Sequence, residues 1–152
     1  MGIEDVIYTE MATAKIDAKC LVSVPKKFRE LIELRNEQCC DLHLIISKIK
    51  TNQRSKQGIP ILLAYGIKDM VDKNGLMKKR EPNDYTRINY FSGKKVSVNN
   101  IGRICIGTDL RNYLQLKKSN DIVLYIGNCD NIVLVSREIW FRYAKNNQYI
   151  LK

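Results

Sequence analysis

The sequence predicts an α+β protein made of two similar tandem halves, packed about a pseudo-two-fold axis. Three observations predict it. One stretch is written twice: Asp17 to Arg29 is matched 82 positions later by Asn99 to Arg111. The match is physical rather than literal. Val22, Val24 and Phe28 fall on Ile104, Ile106 and Leu110, Arg29 falls on Arg111, and Leu31, Ile32 and Leu34 fall on Tyr113, Leu114 and Leu116. Each copy is then followed by a pair of β-rich runs and a helical run. A unit that repeats in this way buries its apolar face against its neighbour, and paired units favour two-fold arrangements.

Each copy reads as strand, turn, short helix, hairpin and closing helix. Lys19 to Val24 is the first strand, and Pro25 opens a helix, where its missing N–H is not needed. Phe28, Leu31 and Ile32 then share one helical face. Leu42 to Ile49 and Ile59 to Tyr65 are the hairpin strands, joined by the polar link from Lys50 to Gly58. A helix near Ile67 to Met77 follows, interrupted by Gly75, and Pro82 bars a helix through the link from Lys78 to Asn83. In the second copy Thr108 is the candidate N-cap, Asp109 suits the positive helix end, and Leu110, Tyr113 and Leu114 repeat the apolar face. Asp121 to Ile126 is a strand, Gly127 to Asn131 a turn, and Ile132 to Val135 the returning strand. Ser136 caps a last helix to about Lys145, anchored by Trp140. The two repeated helices are short, so tertiary packing must hold them. The halves run over 8–82 and 83–145 and are expected to pack as one compact domain.

At 152 residues the chain can bury a true core, and 45% hydrophobic with 28% charged residues describes ordinary globular folding. The charge is less ordinary: 26 basic against 16 acidic side chains leave +10. Such a surface favours polyanions through counterion release, although a generic basic protein from a lysine-rich proteome would show it too. Met1 to Met11 carries Glu4, Asp5 and Glu10 and no apolar core, unlike a secretory leader. The longest apolar run, Ile59 to Ile67, is too short to span a bilayer. Five cysteines without regular spacing suit a reducing cytosol.

Enzyme chemistry finds no constellation. No phosphate loop, H-E-x-x-H or G-x-S-x-G is present. Cys39, Cys40 and His43 lack both C-x-x-C spacing and a second ligand cluster, so packing is the better account of them. Trp140, Phe141 and Tyr143 could stack on bases, but an aromatic at a helix start serves a core or a subunit contact. No catalytic residue, metal ligand or cofactor is expected.

The first repeat, through Ser23-Val24-Pro25-Lys26-Lys27-Phe28-Arg29, resembles the first half of the MraZ family, which belongs with the AbrB-like swapped-hairpin β-barrels. Gly102-Arg103-Ile104 with Leu110-Arg111, and Asp121 to Trp140, resemble its second half. Arg87 to Gly93 resembles the family's arginine and aromatic stretch between the halves. The likeness covers about residues 8 to 145. The resemblance implies two tandem AbrB-like β-α-β units forming a pseudo-two-fold barrel with flanking helices. It also implies a sequence-specific DNA-binding transcriptional regulator, a repressor of the division and cell-wall gene cluster. Such a protein would act on double-stranded promoter repeats as a ring-like homo-oligomer in the cytoplasm and nucleoid, with no membrane partner. The family signature in each half is D-x-x-x-R. Here Asp17 is followed by Leu21, Arg103 is preceded by Asn99, and Cys20 stands at the glycine of G-R.

With that resemblance, Lys15, Lys19, Lys26, Lys27, Arg29, Arg103 and Arg111 become candidate DNA contacts, because all lie in or beside the repeated unit. A two-stranded ribbon can enter a groove with Arg on guanine edges and Lys on phosphates. Arg29 and Arg111 could equally serve as structural ion pairs, which leaves Arg103 and Lys19 as the stronger contacts. Asp17 and Asn99 are loop-ordering candidates. Asp17 could anchor a basic neighbour or form a turn hydrogen bond, and the matching Asn99 favours the turn. The alternative on the same barrel is an RNA-binding or antitoxin-like module.

Overall fold

A computed structural model describes residues 8–50, 58–66, 68–69, 94–117 and 121–147. Eight strands and three longer helices are formed among them. In chain order they are β1 (Met11–Lys15), β2 (Leu21–Ser23), α1 (Lys26–Arg35), β3 (Asp41–Ile49), β4 (Ile59–Gly66), β5 (Lys94–Ser97), β6 (Arg103–Cys105), α2 (Gly107–Tyr113), β7 (Ile122–Asn128), β8 (Asn131–Ser136) and α3 (Arg137–Asn147). The protein is α+β, and every strand pairing is antiparallel.

The pairing is exchanged between the two copies. β1 of the first copy pairs with β7 of the second, Thr13 opposite Leu124. β5 of the second pairs with β3 of the first, Leu42 opposite Val96. The hairpins β3–β4 and β7–β8 meet along β4–β8, where Leu63 lies opposite Val133. The resulting order, β1-β7-β8-β4-β3-β5, reads the same from either end once β1, β3 and β4 are matched with β5, β7 and β8. β2 and β6 form a separate ribbon in which Val22 lies directly opposite Ile104, its own counterpart. The pseudo-two-fold axis therefore passes between these two residues. The six-stranded sheet is open, with β1 and β5 as its outer strands, so strand pairing alone does not close a barrel.

The repeated apolar residues are what the fold buries. Val22, Val24 and Phe28, with Ile104, Ile106 and Leu110, all enter one core cluster, joined by Ile32, Leu114 and Leu116. Phe28 lies between Tyr8 and Tyr125, with ring centroids 6.3 and 6.1 Å away. A smaller cluster of Ile59, Ile61, Leu124, Val133 and Val135 is covered by Ile139, Trp140 and Tyr143 of α3. Trp140 is thus a half-buried packing residue, its ring 6.0 Å from Tyr143. All six residues of β8 are buried, because it lies inside the sheet with apolar side chains in both clusters. That is why Ile132 to Val135 is continuously apolar rather than alternating.

Several local expectations shift. β1 and β5 are strands that periodicity does not announce. Thr108 is not the cap of α2; the helix begins at Gly107, after Ile106, with Asp109 in its first turn. The last hairpin is tighter than expected, since Asn128 pairs with Asn131 and leaves Cys129 and Asp130 at the turn. Ser136 does meet α3, its Oγ accepting the Ile139 N–H at 3.4 Å. Leu34 falls outside the buried face, at 51% exposure. The expected helix near 67–77 lies almost entirely outside the described residues, as does the link between the halves.

Leu114→Ala should destabilise the protein by about 2–5 kcal/mol in urea unfolding, because a fully buried side chain is removed. Leu34→Ala should change stability by less than about 0.5 kcal/mol.

Candidate nucleic-acid interface

The β2–β6 ribbon carries the repeated motif, and strand alternation sorts its side chains. Val22 and Ile104 point into the core, while Ser23, Arg103 and Cys105 are exposed and Leu21 half-buried. Two loops feed the ribbon, and each is tied by its own side chain. Asp17 Oδ1 accepts the Lys19 N–H at 2.8 Å and the Leu21 N–H at 2.9 Å. At the matching positions Asn99 Oδ1 accepts the Ile101 N–H at 3.1 Å and the Arg103 N–H at 2.9 Å. Asp and Asn can both make this turn because each offers a short side-chain acceptor. The Leu21 N–H chiefly, with the Lys19 N–H and the Arg103 and Lys19 charges, holds the Asp17 carboxyl below its ordinary range. Asp17 is therefore a carboxylate at neutral pH.

Three residues along, both loops enter the left-handed region, at Cys20 (φ 63°) and Gly102 (φ 79°). Glycine takes this conformation freely, whereas Cys20 carries about 1–2 kcal/mol of strain. Across each loop lies an arginine from the other copy. A Cβ on Gly102 would stand 2.6 Å from Arg29 Nη1, so glycine makes room for that guanidinium. Arg29 Nε also donates to the Val24 carbonyl at 3.1 Å. Arg111 Nε donates to the Leu116 carbonyl at 2.8 Å, and its Nη1 lies 3.9 Å from Cys20 Sγ. Both arginines are half-buried clamps over the partner loop.

Arg103 is placed differently. It is exposed, lies opposite Ser23, and lines a shallow surface groove with Thr13, Lys15, Asp17, Leu21 and Ser23. The strand exchange has carried a second-copy arginine onto the first-copy loop. Lys15, Asp17 and Arg103 thus share one groove, and Lys19 is exposed on the adjoining loop. Lys26 and Lys27 stand apart in the first turn of α1, 4.0 Å from Glu30 and 3.3 Å from Glu10. Exposed pairs of this kind contribute little to folding. Thr13 and Ser23 are groove residues that sequence reasoning missed; their only signal is their place beside Lys15 and opposite Arg103.

The groove offers an exposed guanidinium fork and one ammonium group on an ordered backbone, with a second ammonium on the adjoining loop, a set suited to phosphate and to base edges. The cysteines offer less. Burial first, and then Glu33, push the Cys40 thiol up to about 11, with Sγ 3.2 Å from Glu33 Oε1. It is protonated at neutral pH and a poor nucleophile. Among the described residues no three His, Cys, Asp or Glu side chains gather as a metal site, and no helix is long and apolar enough to cross a membrane.

No family model matches the chain. It is similar, however, to a Thermoanaerobacter sp. (strain X514) protein named transcriptional regulator MraZ. The two are 26% identical over 136 residues, covering 86% of this chain and 82% of that protein. This match supports the MraZ family. A match of this length reaches both copies of the repeat, so the MraZ likeness extends to the whole two-fold unit rather than to one motif.

The clamp and the groove arginines should separate in a melt. Arg29→Ala should lower unfolding free energy by about 1 kcal/mol, through the lost Val24 bond and stem packing. Arg103→Ala should leave it within about 0.5 kcal/mol, as measured by urea unfolding.

Proposed function

We propose that this chain is a sequence-specific DNA-binding transcriptional regulator that reads duplex DNA with the β2–β6 ribbon. The observation that carries the reading is the groove joining Lys15, Asp17 and Arg103 on the solvent-facing side of that ribbon. The +10 net charge and the name of the MraZ relative support it. A two-stranded ribbon fits the major groove, where Arg103 can meet guanine O6 and N7 with two N–H donors. Lys15 and Lys19 hold phosphates and set the register. Asp17 and Asn99 fix the loops before binding, which lowers the entropy cost of docking. Lys26 and Lys27 add to the attracting field.

The same reading extends to the halves 8–82 and 83–145 as AbrB-like units with exchanged hairpins. It places the protein at the nucleoid as a repressor of the division and cell-wall gene cluster, assembled into a homo-oligomeric ring on promoter repeats. Exchanged pairing of β1 with β7 and of β5 with β3 supports the architecture.

Gel retardation tests the function. The protein should retain duplex from upstream of its own gene in preference to unrelated duplex. Affinity should fall steeply with salt, each phosphate contact adding about 0.9 to the log–log slope. Equal retention of any duplex, a flat salt response, or stronger competition by structured RNA would contradict this reading.

A further inference from the structure

The two-fold backbone carries a surface that is not two-fold. Around the first loop stand Lys15, Lys19 and Arg103, all exposed, with Asp17 tying the turn. The axis relates these to Ser97, Ile101 and Leu21, with Asn99 tying the turn. One corner therefore has three cations and one carboxylate, whereas the four matching positions of the other are uncharged and Ser97 donates to the Asp41 carboxylate at 2.5 Å. The neutral corner presents Ile101 to solvent at 68% exposure, the highest value among the exposed large hydrophobics described. The neighbouring cations are already engaged. Lys95 lies 3.5 Å from Asp41, and Lys94 Nζ donates to the Ile106 carbonyl at 3.0 Å.

We infer that the chain engages nucleic acid through one of its two pseudo-equivalent corners, that of Lys15, Lys19 and Arg103, and so sits on a duplex in a single orientation. This rests on the DNA-binding reading above and goes beyond it by naming which half of the ribbon is used. The turns are alike in both corners, so backbone shape does not choose between them; charge does. At the basic corner a phosphate gains Lys15 and Lys19, and Arg103 extends a fork over the same groove. At the other corner a phosphate would be brought against Ile101, giving up water for apolar contact.

The test compares matched substitutions in the full-length protein, titrated with its upstream duplex at several salt concentrations. Lys15→Ala, Lys19→Ala and Arg103→Ala should each weaken binding at least about fivefold. Each of the two lysine changes should also lower the log–log salt slope by about 0.9. Ser97→Ala and Ile101→Ala should each change affinity less than about twofold, with slope unchanged. Thermal melts accompany every variant, and Arg103→Lys serves as the variant that keeps charge and folding but loses the fork. It should retain affinity for unrelated duplex while losing preference for the upstream sequence. Equal losses from both sets would overturn the one-sided inference and leave DNA binding standing. Wild-type protein that fails to retain any duplex would overturn both.

Discussion

The structure depends on strand exchange. Neither copy of the repeat supplies a partner for its own first strand: β1 is hydrogen-bonded to the second copy's hairpin, and β5 to the first copy's. Each copy also contributes one strand to the central ribbon, where Val22 meets Ile104 on the axis. Burial of either apolar face therefore requires the other copy in place. The core follows suit, since its main cluster draws on Phe28 and Ile32 from one side and Leu110 and Leu114 from the other. Helices as short as α2 would not persist alone, and the shared core is what holds them.

The same exchange builds the surface. Arg29 and Arg111 reach over the loops of the opposite copies, one beside a glycine and one beside a cysteine in the left-handed region. Arg103 likewise lies against the first-copy loop rather than its own, sharing the groove with Lys15 and Asp17. Half-buried and exposed arginines thus divide their work: two lie over the loops, and one faces solvent. A positively charged groove on a preordered ribbon is the physical form of the proposed DNA contact.

Much of the fold was legible because burial repeats when a unit repeats. Val22, Val24 and Phe28 predict Ile104, Ile106 and Leu110 as core, and the apolar runs predict β4 and β8 as hairpin strands. β1 and β5 were not legible. Met11–Lys15 and Lys94–Ser97 are short and largely exposed, with too little alternation to read, and become strands because each hairpin offers them an open edge. The groove was legible only in part. Spacing along the chain shows Asp17 without its arginine and Arg103 without its aspartate. Pairing across the copies brings those two residues to one place, and a pattern read in a single copy has no access to that. Thr108 failed as a cap because α2 already opens at Gly107, in a left-handed conformation that residue type alone does not reveal.

Cross-strand NMR contacts test the exchange most directly. Antiparallel pairing brings the α-protons of non-hydrogen-bonded pairs close, so nuclear Overhauser effects should link β1 to β7 at Thr13 and Leu124, and β5 to β3 at Lys95 and His43. That pattern in the isotope-labelled full-length protein is the result expected. Contacts from β1 to β3 and from β5 to β7 instead would mean that each copy completes its own sheet. Arg103 would then have no reason to lie on the first-copy loop, and the account of both the core and the groove would be contradicted.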